Sequence, residues 1–325
     1  MKAVRIHEEG GPDVLRYEDA PDPEPGPGEV LLRLRAASLN HLDVWLRRGL
    51  PSVPKPRILG ADGAGVVEAL GPGADGVREG QRVVLNPGLD DGALIVGEHM
   101  DGTHAELIAV PAEYVHPIPD GLSFEEAAAF PLVFATAYRM LATRAALREG
   151  EWVLVWGIGA GVSTAALAIA KALGARAVVT STRPEKLGRA RELGADAAVL
   201  TDADVVEEVR RLTDGRGADV VVEHVGEATW KSSLQAVRKG GRITVCGATS
   251  GPNPAANLHR IFWKQLTILG STMGTREDFA AVLDLVTSGR ARPVVDRVYP
   301  LAEAAAAHER LERGEQVGKV VLAIP

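Results

Sequence analysis

EWVLVWGIGAGVSTAALAIAKALGARAVVTSTRPEK, residues 151–186, decides the fold. An apolar run from Trp152 to Trp156 leads into a turn containing Gly157, Gly159 and Gly161. A helical run of small residues follows from Thr164 to Leu173, then a second apolar run from Ala177 to Thr180. Strand, glycine turn, helix and strand form the opening unit of a dinucleotide-binding sheet. In such a turn backbone N–H groups approach a pyrophosphate and the helix N-terminus offsets its charge. The turn departs from a full GxGxxG: counted from Gly157 the third glycine would fall on Val162, and counted from Gly159 it would fall on Thr164. Taken alone the cluster is compatible with plain turn chemistry. The strand before it, the helix after it and the second strand make it a cofactor turn, with Gly157, Gly159, Ala160, Gly161, Val162 and Ser163 as the candidate contacts.

Outward from this stretch, 325 residues suffice for two domains, and 46% hydrophobic with 24% charged residues is an ordinary globular composition. The net charge of −7 argues against sequence-independent binding to nucleic acid or to an anionic membrane. No apolar run reaches the ~18–20 residues of a spanning helix, and the N-terminus has no apolar signal core, so a cytoplasmic protein is expected. The single cysteine, Cys246, excludes an intrachain disulfide framework and any cysteine-rich zinc site. Its apolar setting marks it as a buried small side chain.

Residues 1–121 read as β-rich, with apolar or alternating runs at 3–6, 30–37, 63–70, 81–85 and 105–110, punctuated by Gly and Pro clusters. After Asp120 the texture changes. Ser123 with Glu126 three residues later is a capping box, and strands near 152, 177, 198, 219, 242 and 266 alternate with helices. Six such units predict a doubly wound parallel sheet over residues 122–292. The tail, residues 293–325, returns to the first texture and is expected to fold back onto the N-terminal domain.

The end of the second sheet strand bears on cofactor choice. Proteins that take the unphosphorylated dinucleotide usually carry an acid there, bonding the ribose hydroxyls. Here the run is Val179-Thr180-Ser181-Thr182-Arg183-Pro184-Glu185-Lys186. Ser181 can donate to a phosphate oxygen, and Arg183 and Lys186 can neutralise it, which favours NADPH over NADH. The alternative is that both cations are solvated residues of a helix start. Glu185 suits the first turn of that helix, and His224, at the end of the fourth strand, is assigned to framing the adenosine end.

The whole chain resembles the medium-chain dehydrogenase/reductase superfamily. The resemblance is carried by Gly11-Pro12-Asp13-Val14-Leu15, Pro25-Gly26-Pro27-Gly28-Glu29-Val30, Asn40-His41-Leu42-Asp43 and Leu59-Gly60-Ala61-Asp62-Gly63-Ala64-Gly65-Val66-Val67. Gly102-Thr103-His104-Ala105-Glu106, the glycine turn and Gly318-Lys319-Val320-Val321-Leu322 complete it. It implies an α/β protein: a GroES-like β-rich catalytic domain plus a doubly wound parallel-sheet Rossmann domain. Zinc-dependent members carry Cys where this chain has Asn40 and His where it has Ala61, and a third ligand near Leu132. Asn and Ala cannot replace a thiolate and an imidazole, so no zinc of that type is expected. The four-cysteine lobe would fall in residues 86–99, which hold no cysteine. The remaining metal option is a site improvised from His41, Asp43, Asp62 and His99.

Without a Lewis acid, hydride delivery to a quinone or an α,β-unsaturated carbonyl suffers less than alcohol oxidation does. The resemblance implies Asn40 as a polar donor and Asp43 as an orienting or relay group, although Asn40 could equally cap the helix from His41 and Asp43 suit its first turn. It also implies His41 near the pyrophosphate, Thr136 near the nicotinamide, and backbone at Gly247, Ala248, Gly270, Ser271 and Thr272 along its far side. Lys319 is expected to reach the cofactor phosphates. Leu266–Gly270 becomes an exposed edge strand that pairs with a second copy, predicting a homodimer or a dimer of dimers. The expected activity is zinc-independent, NADPH-dependent reduction of a small-molecule quinone or enone carbonyl. The alternatives are an alcohol or aldehyde dehydrogenase, and a non-catalytic dinucleotide sensor.

Overall fold

The computed structural model describes all residues, Met1–Pro325. The chain divides into two compact units, residues 1–132 with 293–325 and residues 133–292.

In the first unit the Glu29–Ser38 strand pairs antiparallel with Asp62–Leu70 on one side, and with Leu107–Pro111 and Lys319–Ala323 on the other. Val30, Leu32 and Leu34 alternate inward, opposite half-buried Arg33 and Arg35, as a strand with one core face requires. At its end the alternation stops: Ala36, Ala37 and Ser38 are all buried. This closed end of the strand carries the polar cluster described below. The C-terminal return is real, because Lys319–Ala323 also pairs parallel with Val295–Pro300. The expected boundary at residue 121 lies too early. Ser123 and Glu126 do form the capping box of the Phe124–Ala128 helix. That helix belongs to the first unit, because Ser38 Oγ donates to Ala128 O at 2.8 Å and Leu132 N donates to Asp62 Oδ1 at 2.8 Å.

The second unit holds a six-stranded parallel sheet whose strands, counted along the chain, run in the order 3-2-1-4-5-6. They are Trp152–Val155, Arg176–Ser181, Ala197–Leu200, Ala218–Glu223, Val237–Val245 and Thr267–Gly270. The first, second and fourth strands are almost entirely buried, as strands covered on both faces must be. The order reverses between the first and fourth strands. Beyond their carboxyl ends lies the crevice where sheets of this kind take ligands.

Candidate active site

In the first unit four buried side chains meet at the ends of the strands just described. Asp62 Oδ2 accepts from Ser38 Oγ at 3.2 Å, from Asn40 Nδ2 at 2.9 Å and from Lys319 Nζ at 3.0 Å. Asp62 Oδ1 takes the Leu132 amide, and Lys319 Nζ also donates to Asn40 Oδ1. Lys319, Asp62 and Asn40 thus close a triangle. Lys319 and Asp62 keep 4% and none of their side-chain surface, so removing either partner alone would leave an uncompensated buried charge.

This arrangement corrects the expectation for Lys319. Its ammonium is turned into the first unit, where it donates to Asn40 and Asp62. The reason is register: Lys319 is the first residue of a strand whose neighbour ends at Ser38, which directs it to the closed end of the sheet. Nor does an improvised metal site form, since no three His, Cys, Asp or Glu residues converge anywhere in the chain. His99 Nδ1 instead accepts from the Ile95 amide at 3.0 Å. The residues present do not fit the zinc of the zinc-dependent relatives. The resemblance sets Asn40 and Ala61 at two of its ligand positions, and an ammonium is already bonded to the Asn40 side chain.

The two readings of Asn40 and Asp43 both find a counterpart. Asn40 is the N-cap residue of the His41–Arg47 helix, and its own amide donates to Asp43 Oδ2 at 2.6 Å. Its side chain turns instead to Asp62 and Lys319. Asp43 ties the helix start to the next segment: its other oxygen accepts from Gly60 N at 3.0 Å. Burial pushes its carboxyl up to about 7, against the two backbone donors and the Lys319 charge that pull it down. Gly60 has φ +98°, and a Cβ there would lie 2.4 Å from the His104 ring, so only glycine fits. His104 is fully buried with no partner on either ring nitrogen. Burial, helped by the Lys319 charge, pushes it down to about 3, so it is neutral and no general acid at neutral pH. His41 is the first residue of its helix and tilts against Trp45, with ring centroids 6.5 Å apart.

In the second unit the glycine turn takes the form a phosphate cradle needs. Gly157 and Gly159 have φ +62° and +115°, Ala160 is the N-cap, and Gly161 and Val162 open a helix that runs to Ala172. Ser163 serves the turn itself. Its buried hydroxyl lies 2.8 and 2.9 Å from the carbonyls of Gly157 and Ala160 and shares its one hydrogen between them, which staples the turn. Across the sheet's switch point His224 Nε2 meets Trp156 O at 2.8 Å, which makes that nitrogen the protonated one. Burial lowers its pKa, so it carries no charge at neutral pH.

At the second strand's end Ser181 Oγ accepts from Arg183 N at 3.0 Å, leaving its hydrogen to donate. Arg183 caps the next helix with 42% of its side chain exposed, and Glu185 lies 3.8 Å away in the first turn. Lys186 departs from expectation: it is a buried helical residue, so the exposed cation of the pair is Arg183 alone. The far-side assignments also narrow. The Ser271 amide is spent on Val245 O, and Gly270 O accepts from Arg144 Nε at 3.0 Å. Gly247 and Ala248 lie in the loop after the fifth strand, and Thr272 in the loop after the sixth. Thr136 is buried within the Pro131–Tyr138 helix. Cys246 is half-buried, and desolvation pushes its thiol up to about 12, which removes it as a nucleophile.

Two carboxylates are more important than the sequence suggested. Asp62 entered only as a makeshift metal ligand and proves to be the hub of the first unit's cluster. A carboxylate in the small-residue strand LGADGAGVV needs a buried cation, and Lys319, heading the apolar KVVLA, was the available signal. Glu223, the last residue of the buried Ala218–Glu223 strand, organises the loop that carries His224.

Two family models match the chain: the alcohol dehydrogenase GroES-like domain over residues 26–120, and the zinc-binding dehydrogenase over residues 161–288. A quinone oxidoreductase of Pseudomonas aeruginosa is 36% identical, with 99% of each chain covered. The crystal structure of an NAD-dependent alcohol dehydrogenase superposes with a TM-score of 0.96 at 46% identity over 100% of both chains. A mycobacterial protein solved in complex with NADPH superposes with a TM-score of 0.87 at 31% identity, also over 100% of both chains.

Proposed function

The chain belongs to the medium-chain dehydrogenase/reductase superfamily, and from that premise we propose a zinc-independent, NADPH-preferring oxidoreductase that reduces quinones or α,β-unsaturated carbonyls. The observation that carries this reading is the buried Lys319–Asp62–Asn40 triangle, in which Asn40, the residue the resemblance sets at a zinc-ligand position, is bonded to an ammonium. The reduced nicotinamide, when bound, supplies the hydride. The chain's own task is then to hold the acceptor and the oxygen onto which charge spreads. In a conjugated acceptor that oxygen can be stabilised by N–H donors without a metal. An ammonium has three donor hydrogens and a carboxamide two. After the bonds described, one Lys319 hydrogen and one Asn40 Nδ2 hydrogen are left for this purpose.

A panel of quinones, enones and alcohols, run with metal analysis of the purified protein, tests the assignment. Turnover of a quinone or enone without stoichiometric metal is expected, and alcohol oxidation with stoichiometric zinc overturns it. The similarity to an NAD-dependent alcohol dehydrogenase keeps that second activity in the panel. Cofactor binding without turnover of any member would favour the sensor reading.

The NADPH preference rests on Ser181 and Arg183 at a strand end that carries no acid. Loss of a charge-assisted bond worth ~1.5–3 kcal/mol corresponds to roughly 10–150-fold in affinity. Arg183→Ala is therefore expected to raise the Kd for NADPH by at least about tenfold and to leave NADH nearly unchanged. Equal changes by fluorescence titration would remove the phosphate contact.

We also propose that the Thr267–Gly270 strand pairs with the same strand of a second copy. It has a neighbour in the sheet on one side only, and Ile268 is exposed on it. Light scattering should give at least a dimer for the parent and a smaller species for Ile268→Asp. A monomeric parent would refute the pairing.

A further inference from the structure

The cluster in the first unit determines more than the absence of a fit for zinc. A carboxamide has two ends of similar shape and opposite hydrogen-bonding character, and its environment decides which end faces which neighbour. Around Asn40 that decision is forced. Lys319 can only donate, so it must face the oxygen; an ionised Asp62 can only accept, so it must face the nitrogen. Rotating the amide by half a turn would set –NH2 against the ammonium and C=O against the carboxylate. Both Lys319 and Asp62 are buried, so both penalties would be incurred with little solvent screening. Asp62 is itself held by the Ser38 hydroxyl and the Leu132 amide, so the clamp is anchored to the strand end and to the chain beyond the Phe124–Ala128 helix.

We propose that Lys319 is a positioning residue: with Asp62 it locks the Asn40 amide in one orientation and polarises it. An ammonium on Oδ1 withdraws density from the amide and strengthens the hydrogen bond that the free Nδ2–H can donate. That donor is presented to the oxygen of the acceptor. The inference rests on the proposed reduction of a conjugated acceptor. In that step hydride adds to the β-carbon, the alkene pair moves to form the enolate, and the enolate oxygen takes the Asn40 hydrogen bond. Water then delivers the proton to the α-carbon, and Lys319 keeps all its protons throughout.

The test compares Lys319→Met with the double variant Lys319→Met/Asp62→Asn. The single change strands a buried carboxylate, whereas the double change removes both charges and should keep the melting temperature within about 5 °C of the parent. Both variants are expected to lose about 100-fold in kcat on a quinone or enone, the scale of one preorganised oxyanion donor. KM for the acceptor and Kd for NADPH should move by less than about threefold. An independent readout needs no turnover: hydrogen exchange of the Asn40 side-chain amide, with its NMR signals assigned by their loss in Asn40→Asp. Exchange should quicken at least about tenfold in the double variant. A folded double variant that retains kcat within about threefold, or whose Asn40 amide stays as protected as in the parent, overturns the proposal and leaves Lys319 a counter-ion. If the parent reduces neither quinone nor enone, the functional reading fails by itself, while amide exchange still decides whether Lys319 locks Asn40.

Discussion

Replacing Asp62 by Ala should destabilise the protein by about 3–5 kcal/mol, the usual cost of removing one partner from a buried ion pair. The carboxylate has no exposed surface and accepts four hydrogen bonds, from Ser38 Oγ, Asn40 Nδ2, Lys319 Nζ and the Leu132 amide. Truncation strands a buried ammonium and takes the acceptor from the buried Asn40 Nδ2. The Ser38 hydroxyl is spared, because its bond to Ala128 O remains. Asp62→Asn should cost less, since an amide oxygen can still serve Lys319. Adding Lys319→Met to Asp62→Ala should recover much of the loss, because the cost is the unpaired charge and not the missing contact. Urea denaturation of the four proteins closes this double-mutant cycle. A loss below about 1 kcal/mol for Asp62→Ala would mean that the ammonium finds solvent, and the strong-field picture of the cluster would fail.

The second large effect is expected at Glu223, in the other unit. This carboxylate is fully buried, and four donors surround it: the amides of Val225 and Gly226 at 2.9 and 3.1 Å, Thr229 Oγ1 at 2.8 Å and Ser233 Oγ at 2.6 Å. Ser233 in turn accepts from Trp156 Nε1 at 2.8 Å. The charge is therefore carried by hydrogen bonds and by the start of the Glu227–Ala236 helix, where a negative group is favoured. Glu223→Ala leaves two amides and two hydroxyls to find new partners, at a cost of about 3–4 kcal/mol.

The same change loosens the loop that carries His224 and its bond to Trp156 O, next to the glycine turn. With His224 assigned to the adenosine end, which both cofactors share, affinity for NADPH and for NADH is expected to fall together, by about tenfold each. This contrasts with the expected selectivity of Arg183→Ala. Thermal unfolding with and without each cofactor measures both consequences. A shift confined to NADPH would place Glu223 beside the ribose phosphate and would overturn its role as a loop hub.

The sequence by itself determined the elements and the family. Apolar runs of period two, small-residue helical runs and Gly–Pro punctuation are local signals. They were enough to predict six parallel strands, the glycine turn, the Ser123–Glu126 cap and the return of the C-terminus to the first unit. Asn40 and Ala61 were likewise legible as poor zinc ligands, because ligand chemistry belongs to the residue type. Only the tertiary structure decided where the charges pair. Lys319 stands 257 residues from Asp62, and nothing local distinguishes a lysine that reaches a phosphate from one that turns inward to a carboxylate. The same holds for Lys186, exposed by its residue type and buried by its helix, and for Ser163, whose hydroxyl closes its own turn. Strand register is set by the pattern of apolar residues, but a buried charge is satisfied by whichever partner the register brings to it. For this chain that partner is Asp62, and with it Lys319 is held against Asn40.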